Sequence, residues 1–162
     1  MHSLHAPRPR RRSLVLVADG FQERTTVGCI HTLREVGAPA SVVGLTAGPV
    51  TGSRGIVLQP DLSLDQVSLD DPPLLAVLPG GRRCIAALLT DPRVHRLLAL
   101  IVGAGGSVAL LHPAGEDLEQ LLSVPVSRPE AQSLAKFITG LLRDFVEQVR
   151  TGEAHDGHVA DG

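Results

Sequence analysis

The stretch GSVALLHPAG, from Gly106 to Gly115, carries an apolar run straight into His112 and Pro113. In many α/β enzymes a strand-to-helix turn of this kind presents the nucleophile. A histidine there titrates near neutrality, so it can act as a general base or bind a metal once suitable partners stand beside it. Asp19, Glu23 and Thr25, in ADGFQERTT, are its candidate neighbours, because loops at the C-terminal ends of parallel strands converge. The plainer reading of His112 is a hydrogen-bonded structural histidine, since it lacks metal-ligand spacing to other residues. Cys84 follows GGRR at a helix start, where Arg82, Arg83 and the helix dipole favour a thiolate and hence a redox-sensitive thiol. Against that stands a small buried apolar residue in CIAALL. Cys29, between Val27 and Ile30, reads as inert. The two cysteines show neither C-x-x-C spacing nor a zinc pattern, so reduced thiols, no metal and no cofactor are expected.

The elements that must position these groups are legible as apolar runs at 13–18, 40–45, 56–59, 74–78, 107–112 and 123–126, which read as strands buried on both faces. Between them lie helix-period stretches. Val27, Ile30 and Leu33 line one helix that ends at Gly37, and Val94, Leu97, Leu98 and Ile101 line another opened by Thr90, Asp91 and Pro92. A last helix, 129–150, carries Leu134, Phe137, Ile138, Leu141, Leu142, Phe145 and Val149 on one face, with Ser127 and Glu130 as a capping box. TAGPVTGSRG, 46–55, is a turn that makes a hairpin of the runs at 40–45 and 56–59. GAGGS, 103–107, follows a helix and precedes a strand, the reverse of a dinucleotide fingerprint, and reads as a tight connection. Alternating strands and helices of these lengths imply a mostly parallel sheet with helices on both faces.

Composition narrows the function. The chain has 162 residues, 43% of them hydrophobic, with 17 Gly and 12 Pro, which suits one domain of short elements. We expect a disordered basic arm at 1–12, a single domain at 13–150 and a disordered tail at 151–162. Three Phe and no Trp or Tyr leave no stacking platform for single-stranded nucleic acid, and Arg8, Arg10, Arg11 and Arg12 alone would bind phosphate weakly. Nucleic acid is therefore not an expected partner. RRRSLVLVA falls short of an export signal because its apolar run stops at Asp19, and no run approaches the ~20 residues of a membrane span, so the expected location is cytoplasmic.

The order of elements, together with VLVADGFQERTTV, SVVGLTAGPVTGSRGIVLQPDLSLDQV, LLAVLPGG and GGSVALLHPAG, resembles the ThiJ/PfpI family of the DJ-one superfamily. The resemblance covers residues 13 to about 115 and extends to the last helix. It implies a flavodoxin-like, class I glutamine amidotransferase-like sandwich, a homodimer, and a reactive cysteine at the elbow with a glutamate beside it. Activities in the family include glyoxalase or deglycase-like, peptidase or amidase, redox and chaperone roles. On this sequence the elbow cysteine falls on His112 and the acid on Thr25, with Glu23 close by. Both catalytic groups are missing. Pro113 also lacks the N–H that would face an oxyanion, a donor whose loss costs about 2.7–4 kcal/mol of transition-state stabilisation. Residues 115 to 127 replace a longer family segment that carries a histidine near the active site.

The expectation is a catalytically degenerate family domain that binds a small molecule or a protein. Gly80 and Gly81 of the PGG turn remain able to offer amides to a small anionic ligand, beside Pro113. The resemblance places Arg54 near a partner's active-site mouth. Two alternatives stand beside this reading: a hydrolase or glyoxalase/deglycase-like enzyme using His112 in a remodelled pocket, and a redox sensor using Cys84.

Overall fold

The computed structural model describes residues 12–111, 124–129 and 133–143. Its centre is β1 (Ser13–Val17), SLVLV, every residue of which is buried. Such a strand needs cover on both faces, which is why the run does not alternate. Five parallel strands lie in the order β5 (Leu62–Ser63), β2 (Ala40–Gly44), β1, β6 (Leu75–Leu78), β7 (Ser107–Leu110). With its helices this is the expected flavodoxin-like α/β fold.

Helix α1 (Glu23–Glu35) turns Thr26, Cys29, Ile30 and Leu33 inward. Helix α2 (Arg82–Leu89) buries Cys84, Ile85, Leu88 and Leu89. Helix α3 (Pro92–Gly103) starts as its sequence dictates: Asp91 accepts a hydrogen bond from the Arg93 N–H, and Pro92 fills the first turn. Its apolar stripe, Val94, Leu97, Leu98 and Ile101, faces the core. Arg93 also bonds Asp65 and the Leu45 carbonyl, tying α3 to the opposite end of the sheet.

Two local expectations are corrected. The run at 40–45 is no hairpin arm, for β2 pairs in parallel with β1, Val15 opposite Val42. The hairpin forms inside the turn-rich stretch instead, between β3 (Val50–Thr51) and β4 (Val57–Leu58). Gly55, with φ of 87°, and the bond from Gly55 N–H to the Gly52 carbonyl close it. Ser127 also differs from expectation. It exchanges backbone bonds with Val108 and Leu110 beside β7, and Ser133 is the residue whose hydroxyl accepts from Lys136 N–H where the described helix, 134–143, begins. The arm before Arg12 and the tail at 151–162 lie outside the described residues.

Candidate functional site

The strand order reverses at β1: the chain moves outward to β2 on one side and to β6 on the other. In open α/β sheets a crevice opens at such a switch point, between the loops that leave the two strands. Here Asp19 and Gly20 leave β1, and Gly81, Arg82 and Arg83 leave β6 into α2. Between them and Thr51, Gly52 and Ser53 of the hairpin lies an open cleft of about 450 Å³.

Backbone contacts fix its walls. The Gly20 N–H donates to the Thr51 carbonyl at 2.8 Å, and the Thr51 N–H returns to Asp19 Oδ1 at 3.0 Å. Ser53 N–H donates to the Phe21 carbonyl. On the other wall Gly81, with φ of 94°, packs so closely on the β1 loop that a Cβ there would strike the Gly20 carbonyl. Gly80, at φ of 122°, accepts from the Gln22 N–H. The expected glycine pair thus does two things: it lets the loops after β1 and β6 touch, and it leaves the start of α2 facing the cleft, where the helix dipole favours anions.

Glu23 holds the third wall. Its carboxylate is buried against Gly52 and accepts from Ser53 Oγ at 3.1 Å and from the Arg54 N–H at 2.6 Å. Burial raises its pKa, but the bonds from Arg54, its own N–H, Ser53 and Ile56 outweigh that and hold the carboxyl below the usual value of 4.5. Arg82 and Arg83, by contrast, have no ion pair or hydrogen-bond partner among the described residues, and both are exposed at the cleft. Arg54 is exposed too, its backbone rather than its guanidinium being tied to Glu23.

Other expected site residues fare differently. Thr25 is half-buried and donates to Gln22 Oε1 at 2.7 Å, so a hydroxyl and an amide meet where the resemblance leads one to expect the acid. Next to it Thr26 is fully buried, and its hydroxyl has no partner among the described residues. Cys84 is not the accessible thiolate that Arg82 and Arg83 suggested. It is fully buried, and burial pushes its thiol up to about 11, while the Ala18 N–H donating to Sγ only partly offsets this and Asp19 adds to it. Cys29 is buried and pushed up to about 12. His112 and Pro113 lie outside the described residues. Among those described, no group of three or more His, Cys, Asp or Glu could hold a metal. The sequence reading missed Thr51 and Ser53 as cleft residues and treated Arg82 and Arg83 only as neighbours of Cys84. The signal for the arginines was their place straight after LPGG.

The model of the DJ-1/PfpI family matches residues 11–111, well over half of the chain. The chain belongs to the DJ-1/PfpI family. The match stops one residue short of His112. Among its relatives, the Parkinson disease protein 7 homolog of Danio rerio is 32% identical over 102 residues, which are 62% of this chain and 54% of that protein. A deglycase of Thermococcus kodakarensis is 38% identical over 69 residues, 43% of this chain and 41% of that one. The chain thus spans about half the length of the curated relatives it matches. Of solved structures, Drosophila melanogaster DJ-1beta superposes with a TM-score of 0.65 at 30% identity, over 70% of this chain and 61% of that one. Schizosaccharomyces pombe DJ-1 reaches 0.67 over 93% and 100%, at 16% identity, a likeness of fold alone.

Proposed function

We propose that this family member has lost the cysteine chemistry and works by binding a small anionic ligand in the switch-point cleft. The observation that carries the reading is the pair Arg82 and Arg83, without a partner among the described residues, beside a cleft whose loops are locked together. An arginine fork pairs with carboxylate or phosphate oxygens, and the dipole at the start of α2 adds to the attraction. Degeneracy is supported by Thr25, engaged with Gln22 where the family has its acid, and by two cysteines whose thiols burial keeps protonated.

We further propose a homodimer in the cytoplasm. Val27, Ile56 and Val57 are all more than half exposed, on α1 and on the hairpin that Glu23 straps to it. Two free thiols suit a reducing compartment. No described helix is long and apolar enough to cross a membrane.

Calorimetric titration of the full chain with phosphate and with malonate tests the binding. Saturable heat with either anion, reduced in Arg82→Gln and Arg83→Gln, supports it, and no binding of any anion overturns it. The deglycase named among the relatives favours a rival, an enzyme that uses His112. Glyoxalase or deglycase turnover in the unaltered chain that disappears in His112→Ala would establish that rival.

A further inference from the structure

The cleft is bipolar. Its arginines offer donors only, yet one wall carries a carboxylate, Asp19, whose Oδ1 takes the Thr51 N–H at 3.0 Å while Oδ2 has no partner among the described residues. A free carboxylate oxygen repels an anionic oxygen and accepts a hydrogen from a hydroxyl. Ser53 adds no competing donor, because its hydroxyl proton is spent on Glu23. A ligand that fits is therefore negative at one end and presents a hydrogen-bond donor, such as an O–H, at the other.

Two guanidiniums also set the kind of anion. One fork satisfies both oxygens of a carboxylate, whereas a phosphate monoester has three terminal oxygens and two charges to share between two forks. The volume, about 450 Å³, lies within the range of small-molecule sites. We propose that the cleft takes a phosphate monoester of a small polyol, with the phosphate on Arg82 and Arg83 and a ligand hydroxyl donating to Asp19. The proposal rests on the anion-binding reading above and names the ligand class.

Calorimetry of the full chain with glycerol 3-phosphate, ethyl phosphate, inorganic phosphate and malonate separates the two claims. Glycerol 3-phosphate should bind about tenfold tighter than ethyl phosphate, which lacks the hydroxyls, one charge-assisted hydrogen bond being the difference. Arg82→Gln and Arg83→Gln should each weaken both esters by about tenfold or more. Asp19→Asn keeps an oxygen for the Thr51 N–H and should bring the ratio of the two esters toward one without loss of phosphate binding. Equal affinity for the two esters in the unaltered chain overturns the proposal, and that comparison needs no variant to fold. Malonate binding without phosphate binding overturns it while leaving the anion-binding reading standing. Failure of all four probes overturns both.

Discussion

Glu23 and Arg54 meet through a 2.6 Å hydrogen bond in which the arginine's backbone N–H, not its guanidinium, is the donor. An acidic and a basic residue thus touch without forming an ion pair. The carboxylate acts as a clasp for the hairpin tip, and the guanidinium stays available to solvent or to another chain.

The clasp makes stability depend on pH in a definite sense. Because the bonds hold the Glu23 carboxyl below 4.5, its contribution is present above that value and is lost as pH falls through the lowered one. Glu23→Gln should therefore melt earlier than the unaltered chain at pH 7, and the gap should close below about pH 4.5 in thermal scans. A gap that stays constant down to pH 3 would contradict the assignment.

Cys84 should be silent in the folded state. Neither it nor Cys29 should react with a thiol reagent near pH 8 faster than the chain unfolds, and both should react in denaturant. Cys84→Ala leaves the Ala18 N–H without its acceptor and should cost about 1–3 kcal/mol in urea denaturation. Rapid native labelling of Cys84 would restore the redox reading.

Thr26 is an instance where removing a polar group should help. Its buried hydroxyl makes no hydrogen bond among the described residues, so Thr26→Val, of nearly equal shape, should raise stability by about 1 kcal/mol. A destabilisation of that size would reveal a partner for the hydroxyl.

If His112 stands at the family's elbow, as the proposed reading has it, supplying side chains alone should not supply the chemistry. Thr25→Glu with His112→Cys supplies an acid and a thiol, while Pro113 still lacks the amide that an oxyanion requires. Esterase and deglycase assays should find little turnover in that double variant and more when Pro113→Ala is added. A triple variant that folds and stays as inactive as the double would put the blame on the segment at 115–127.

The apolar patch gives a fifth test. Val57→Asp alters an exposed side chain, so folding should survive, while self-association measured by light scattering should weaken by about tenfold or more. A monomer at micromolar concentration in the unaltered chain would remove the dimer and any role for Arg54 across it.

The sequence displayed the sheet well because strands covered on both faces leave unbroken apolar runs, as SLVLV and LAVL do. Asp91 and Pro92 announced α3 for an equally local reason. What failed was non-local. A two-residue strand such as β3 has no period to detect, so the hairpin was placed one element too early. The sequence leaves Cys84 between a thiolate and a buried apolar residue, because its helix neighbours are visible there whereas the loop that covers the sulfur comes 66 residues earlier. The cleft itself exists only once β1 and β6 lie side by side, which puts Asp19 opposite Arg82 and Arg83.

The contact between Gly20 and Gly81 bears on how such a cleft could diversify. Main chain rests on main chain there, so any side chain larger than hydrogen at Gly81 would push the two loops apart and undo the frame. Drift in ligand preference would then be confined to side-chain tips, those of Thr51, Arg82 and Arg83, while position 19 must keep an oxygen for the Thr51 N–H. A mutational library aimed at new ligands should gain by randomising those tips and lose its folded members whenever Gly81 is included.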